Sequence, residues 1–584
     1  MSLLSTVLNL LLYKESPKYN RFELLEDEPE DKGRTENGNV AQAKPEIKVK
    51  GKWRADIPRR TQVKSKQEPK QEQSREGKVE KKLSQNLEII KRELNFPTNQ
   101  DVVIREFKIM QKSDAFIVYI DGMADKTTIN DYILRQLMAP NPGKTAGSGK
   151  DLIDCLVNNL LSVNQVTRQT EYGQIIKQVL NGLTALFVED AGECILIESR
   201  GFDKRNVSNP LTETIIKGPH EAFIENLRTN ITLVRKIIRN KDLVTEMLPT
   251  GKTDNMTCAI MYIKGIVNPK VVRELKRRIG SIDVDQIQGD GTLDQLIEDH
   301  PSSLFPQILS TERPDRTAYF LMEGKVAIIC DGTPYASVVP VTFFDMFHSS
   351  EDYALRWQYG TFLRIIRMIA ACIAVFLPGM YVALTLYHHE MIPTELMSSL
   401  AKAREHLPFP TIIEILLMEI LFELIREAGI RVPGVIGQTL GIIGAIIVGQ
   451  AAVAAGLVSP VLIIIIAITG LGSFAIPNFS LAFGVRISRF IFIICGAIAG
   501  FYGIAAGIFI FGGLACSMKS FGVPYFSPVA PKTKSSRDTI IRMPTWRQKT
   551  RPDFLNTSDR MRMGNPARGW AAQGKEETDN DSGR

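Results

Sequence analysis

Between Val432 and Val485 the chain runs for 54 residues without one Asp, Glu, Lys or Arg, although those types make up 23% of its 584 residues. A helix crosses the hydrocarbon core of a bilayer in about 20 apolar residues, so this stretch holds two crossings. The uncharged run from Phe490 to Met518 holds another, and Met368 to Tyr387, just after Arg364 and Arg367, holds a further one. The charged residues crowd into the N-terminal half and the tail, which marks a polytopic membrane protein with a large hydrophilic domain.

Five regions follow from this division. Residues 1–85 form a charged extension, acidic around Glu26 to Asp31 and then Lys-rich, that buries too little apolar surface to fold; it reads as a solvated tether or as a contact for anionic lipid headgroups. Residues 86–200 and 201–355 read as two α/β subdomains, 361–518 as a transmembrane helical domain of four to five membrane segments, and 519–584 as a basic tail. The expected fold is thus an α+β/α membrane protein, with a cytoplasmic N-terminal α/β domain followed by an all-α transmembrane domain. Seven cysteines at scattered spacings point to a reducing compartment, and the basic tail favours the same face. An even number of crossings satisfies both.

Periodicity predicts a helix near Leu83–Leu94, strands at Val102–Met110, Ala115–Ile120, Thr184–Val188, Cys194–Glu198 and Met256–Ile263, and a long helix from about Glu221 to Arg239 started by Gly218-Pro219. Catalytic and metal motifs do not form. Gly143 to Asp151 resembles a phosphate-binding loop but has Lys144 where that loop needs Gly and Asp151 where it needs a hydroxyl. His388-His389-Glu390 has no third ligand at a suitable spacing. No catalytic residue, metal site or cofactor is assigned, and nothing in the sequence calls for nucleic acid.

The stretch Lys217-Gly218-Pro219-His220-Glu221-Ala222-Phe223-Ile224-Glu225-Asn226-Leu227-Arg228-Thr229-Asn230, with Leu233, Arg235 and Arg239, resembles the signature of the GerA family of spore germination proteins. Thr311 to Asp315, Asp331 to Pro334, Pro340 to Asp345, Glu351 to Tyr353 and Phe521 to Pro531 extend the resemblance over roughly residues 85–555. His220 stands where many relatives are expected to carry Arg. The resemblance implies the A subunit of a nutrient-germinant receptor in the inner membrane of a bacterial endospore, partnered by B and C subunits, with the germinant bound by B. It implies a homo-oligomer that forms a ligand-gated cation channel. A partner-independent branch of the family is left open.

Within that frame Gly218, Pro219, Glu221, Arg228 and Arg235 are candidates for a subunit interface, the two arginines lying seven apart on one helical face. Gly437, Gly441, Gly444, Ala451 and Ala455 form a small-residue stripe for helix packing. Gln438, Ile442, Ala445, Gly449 and Ala452, about 100 degrees around the helix, are the candidate pore lining. Glu419, Glu423 and Glu427 fall at i, i+4 and i+8, either at a pore mouth or on an interfacial helix paired with Arg426 and Arg431. A secondary transporter or exchanger and a non-conducting scaffold subunit are the alternatives; the membrane part shows no repeated halves of the kind transporters carry.

Overall fold

The computed structural model describes residues 77–139, 150–201, 209–431, 447–533 and 538–564. The apolar N-terminal segment, most of the charged extension and the Gly143–Gly149 loop lie outside them. Order begins earlier than expected: Val79 is already buried, and Lys78 bridges to Glu171 ahead of helix α1 (Leu83–Glu93).

The first subdomain is built on strands β1 (Val102–Ile109), β2 (Ser113–Ile120), β3 (Val166–Gln169), β4 (Thr184–Val188) and β5 (Cys194–Ile197), ordered β1-β2-β4-β5-β3. Successive residues of a strand face opposite ways. Accordingly Ile117, Leu186 and Ile195 enter one apolar layer, while Phe116, Phe187 and Cys194 enter the other with α1 and α2 (Tyr172–Val179).

The second subdomain repeats the plan. Strands β6 (Leu243–Thr250), β7 (Met256–Ile263), β8 (Leu309–Thr311), β9 (Val326–Cys330) and β10 (Ala336–Val339) are ordered β6-β7-β9-β10-β8, and every pairing in both sheets is antiparallel. One face carries α3 (Leu227–Ile237) and α6 (Pro314–Glu323); the other carries α4 (Pro269–Gly280) and α5 (Asp290–Ile297). Helix α3 starts later than Gly218-Pro219 suggests, because the Asn226 side chain accepts the Thr229 N–H at 3.1 Å and caps it there. The residues before it are not helical, and Phe223 N donates to Glu312 O at 2.8 Å. Asp331-Gly332-Thr333-Pro334 forms the turn that joins β9 to β10.

The core under α3 and α6 does not stop at the domain edge. It continues through Ala371 and Ala374 of α7 (Trp357–Leu386) and Leu481, Ala482 and Val485 of the last long helix. Helices α8 (Thr411–Arg431), α9 (Pro460–Phe474) and α10 (Phe479–Ser517) complete the helical part, with a helix at 447–454 leading into α9. Among the described residues, two helices, α7 and α10, are long and apolar enough to cross a membrane.

Helix α10 is two arms, not one rod. Ala499 (φ −136°, ψ 19°) and Gly500 (φ 59°, ψ −139°) break it. Phe492 and Phe511 then pack with ring centroids 5.5 Å apart and planes tilted by 44°, whereas nineteen residues of straight helix extend about 28 Å. Glycine at 500 suits the left-handed φ, and a Cβ there would meet the His388 ring at 2.7 Å. The apex therefore sits at the far end of α7, where Tyr387 Oη donates to Ala497 O at 2.8 Å. Both feet return to the domain: Gly484 lies against Leu304 O, and Ala515 and Met518 cluster with Phe305. The basic tail packs there too, Ser520 Oγ donating to Gln307 O at 2.7 Å and accepting from Val341 N at 3.1 Å.

Candidate functional site

No cleft with an arranged nucleophile and base stands out among the described residues; what stands out is a series of buried charge junctions. The first joins the two subdomains. Arg235, 2% exposed, donates through Nε and Nη2 to the Asp101 carboxylate, and through Nη2 also to Asn99 Oδ1 (3.1 Å) and Leu243 O (2.8 Å). Arg228 pairs with Asp121 at 3.0 Å, and Lys236 with Glu221 at 2.7 Å. Arg228 and Arg235 of α3 thus meet carboxylates of the chain's own first subdomain, while Lys236 pairs within the second. Burial closes Arg235 to the subunit contact expected for it. Gly218 (φ 145°) and Pro219 lie in the strap below, where Pro219 O accepts from Arg313 Nη2 at 2.7 Å.

The second junction lies where subdomain, α7 and tail meet. Asp352 is fully buried and caps the short helix Ser350–Ala354 through a reciprocal box with Ser349. It accepts from Arg364 Nε at 3.2 Å and Arg367 Nη1 at 2.8 Å, both from the first turns of α7. Arg364 Nη1 continues to Asp538 Oδ1 at 2.6 Å in the tail. Arg542, also of the tail, donates to the carbonyls of Asp352, Tyr353 and, at 2.8 Å, Leu355. Alongside, Lys325 Nζ reaches Asp345 Oδ2 at 2.7 Å and His348 Nε2 meets Thr539 O at 2.8 Å.

Burial pushes the Asp345 carboxyl up, but Lys325 and His348 outweigh it and hold it below the usual carboxylate range. Burial, reinforced by the charge of Arg364, drives His348 down to about 4, so its ring is neutral near pH 7. A cavity of about 570 Å³ opens beside this group, walled by Tyr319, Phe344, Tyr353, Asp538 and Phe554.

The third junction is among the apolar helices. Glu419 and Arg489 are both fully buried and meet at 2.6 Å. Glu423 is shared by Arg489 (3.1 Å), Arg426 (3.1 Å) and Arg486 (3.4 Å), and Arg426 Nη2 also donates to Ser473 Oγ at 3.1 Å. Glu427 pairs with Arg431 at 2.8 Å on the exposed side. The Arg426 and Arg431 partners were legible from spacing within α8; Arg486 and Arg489 come from α10. Their sequence signal was a pair of arginines at an i, i+3 spacing beside apolar runs, matching two acids at i, i+4.

Of the small-residue faces, Gly449 and Ala452 are buried, Gly449 facing Ile463 and Ala452 in a cluster with Tyr381, Met418 and Leu462. Ala451 and Ala455 are exposed. Gln438, Ile442, Ala445, Gly437, Gly441 and Gly444 lie outside the described residues. The close helix contacts that are seen use other glycines. A Cβ on Gly379 would stand 2.6 Å from Phe492 O, one on Gly496 2.5 Å from Gly379 O, and one on Gly472 2.7 Å from Ala370 O.

These features define a class: a protein of paired antiparallel α/β subdomains fused without a spacer to a bundle of apolar helices. The description "Bacillus/Clostridium GerA spore germination protein" matches residues 59–554, and the chain belongs to this GerA family. It is 38% identical over 501 residues to spore germination protein KA of Bacillus subtilis (strain 168), covering 85% of this chain and 91% of that one. It is 38% identical to spore germination protein GerLA of Bacillus cereus, covering 82% and 97%, and 37% identical to the uncharacterized membrane protein YfkQ of Bacillus subtilis (strain 168), covering 77% and 87%. Among solved structures it is similar to the N-terminal domain of the A subunit of the Bacillus megaterium spore germinant receptor GerK3, with 32% identity, a TM-score of 0.36, and coverage of 46% of this chain and 98% of that one. The family and the two long apolar helices associate the protein with germination and with a membrane.

Proposed function

We propose that this chain is the A subunit of a nutrient-germinant receptor in the inner membrane of the spore, with B and C subunits as partners, the germinant on B, and the α/β domain on the cytoplasmic side. The observation that carries this reading is the near-full-length likeness to proteins named for spore germination. The hairpin at Gly500 brings the chain back and the tail packs on the domain, so both lie on one face of the membrane with an even number of crossings; the scattered free cysteines favour the cytoplasmic face.

In this reading several copies assemble and conduct cations when the receptor is engaged. The acidic stripe is a poor cation ring, because Glu419 and Glu423 are neutralised within the chain by Arg489, Arg426 and Arg486. Gly449 and Ala452 are covered within the chain, so the conducting surface falls to the segment holding Gln438, Ile442 and Ala445. The exposed Ala451 and Ala455 are then the small-residue face offered to a neighbouring copy. The test is conductance of purified protein in planar bilayers, with and without the B and C subunits, for wild type and Gln438→Leu. Currents altered by the substitution support the assignment. Currents indifferent to it overturn the lining, and absence of current in every assembly favours a scaffold subunit.

A further inference from the structure

Cys258 on β7 and Cys330 on β9 are direct cross-strand partners in the second sheet, and their Sγ atoms lie 3.1 Å apart. Both side chains are buried on the face covered by α4 and α5. No other two cysteines among the described residues are paired across strands. Antiparallel neighbours place their Cα atoms about 4.5–5.5 Å apart, inside the range of about 4.4–6.8 Å that a disulfide spans. The strands have already brought the two residues together, so closure needs side-chain rotation and no rearrangement of the chain.

We infer that Cys258 and Cys330 are a reversible dithiol–disulfide pair, oxidised by a small disulfide of the glutathione class. The surroundings divide the roles. Thr250 Oγ1 lies 3.4 Å from Cys258 Sγ, and the hydrogen bond from Cys330 leads the effects that draw the Cys258 thiol below its ordinary value, while Cys330 is pushed up. Cys258 is the attacking thiolate. It displaces one thiolate from the small disulfide and forms a mixed disulfide; Cys330 loses its proton, attacks Cys258 Sγ, and expels the second small thiolate. Two protein thiols give up two protons and two electrons, and one small disulfide becomes two small thiols.

The pair is placed to be felt elsewhere in the domain. The residue after Cys330 is Asp331, whose Oδ1 accepts from Leu227 N at 3.1 Å, and Gly332 N donates to Glu225 O at 2.8 Å. The cross-link therefore closes one residue from the turn that holds the start of α3. Helix α5 lies over this face, held by Asp290 Oδ2 accepting from Ser310 Oγ at 3.1 Å and Asp294 Oδ2 from Ser337 Oγ at 3.0 Å, so the oxidant reaches the pair only when this cover opens. Oxidation is accordingly slower than that of an exposed thiol.

The test uses the full-length protein in detergent, incubated with glutathione disulfide, quenched in acid, denatured in N-ethylmaleimide, digested and weighed by mass spectrometry. The expected result is a Cys258 peptide joined to a Cys330 peptide with loss of two hydrogens, reversed by reduced glutathione. In Cys330→Ser the expected product is glutathione held on Cys258. Recovery of both cysteines as maleimide adducts across a range of oxidant concentrations overturns the proposal, as does a cross-link joining either one to a different cysteine. The wild-type measurement decides alone if the variant does not fold.

Discussion

Arg235→Ala is the sharpest probe of how the two subdomains are held together. The substitution leaves Asp101, whose side chain is 2% exposed, with only the Thr245 hydroxyl at 3.3 Å as a side-chain donor, and it leaves Asn99 Oδ1 with the Thr245 amide. Removing one member of a buried ion pair costs about 3–5 kcal/mol, because the remaining charge stays desolvated and unpaired. That is roughly a 10²- to 10⁴-fold rise in the population of the opened junction. Hydrogen exchange of the full-length protein in detergent, followed on peptides covering residues 99–102 and 227–245, reads this population directly. Arg228→Ala is the comparison: its pair with Asp121 is half exposed, and such pairs contribute about 0–1 kcal/mol. The double variant Asp101→Leu with Arg235→Met removes both charges and is expected to recover most of the protection. Equal exchange in the Arg235 and Arg228 variants, or a double variant as open as Arg235→Ala, refutes the reasoning.

Four further outcomes are expected. His348→Gln should flatten part of the acid sensitivity of the domain. The histidine is held at about 4 when folded and titrates near 6.5 when unfolded, so the unfolded state takes the proton first and stability falls between those values as pH drops, by at most about 3 kcal/mol. Glu298 runs the other way, since burial raises it to about 7 and the folded state binds the proton; the thermal midpoint of Glu298→Gln should therefore gain less than wild type between pH 7 and 4.5. Glu419→Ala leaves Arg489 with only its longer contact to the shared Glu423 and should cost about 1.5–3 kcal/mol in detergent stability, the loss of one charged hydrogen bond, whereas Glu419→Leu with Arg489→Met should cost less. Gly379→Ala should destabilise by about 1–3 kcal/mol through overpacking against Phe492 O, read as a lower midpoint of thermal aggregation; an unchanged midpoint would show that the α7–α10 contact has slack.

Strands β1, β2, β4, β5 and β7 were legible because their β-branched and apolar runs are bounded by turn residues, Thr184–Val188 and Met256–Ile263 coinciding with β4 and β7, whereas β3, β6, β8, β9 and β10 went unread. Other features were hidden for physical reasons. Phe223 falls in helical phase with Leu227, Ile231 and Val234, so the pattern extended the helix back past Asn226, whose capping hydrogen bond ends it. The hairpin in α10 was read as one crossing because the uncharged run from Phe490 to Met518 continues across its apex; only the backbone angles of Ala499 and Gly500 mark the reversal. The identical strand order of the two sheets left no trace in residue patterns, since order is set by long-range pairing. The ion pairs of Glu419 and Glu423 with Arg486 and Arg489 join residues more than sixty positions apart, which local spacing does not register.

The junctions form one mechanical series. Arg235 ties the first subdomain to α3 of the second, α3 shares an apolar core with Ala371 and Ala374 of α7, and Asp352 grips Arg364 and Arg367 at the base of that same helix. Packed interiors transmit displacement because they lack voids to absorb it. With no flexible spacer between domain and bundle, a movement of the first subdomain relative to the second has to be accommodated either at the Arg235–Asp101 contact or in the tilt of α7. The tail adds a second hold on α7 through Asp538 on Arg364 and through Arg542 N, which donates to Thr361 Oγ1 at 3.1 Å, so release of the tail alone leaves the Asp352 grip in place. Asp352→Asn together with Asp538→Asn is therefore expected to loosen the base of α7 more than the sum of the single changes, measured as exchange of residues 357–367. Strict additivity would mean that the two grips are independent, and that the domain and the tail do not act on α7 through a shared guanidinium.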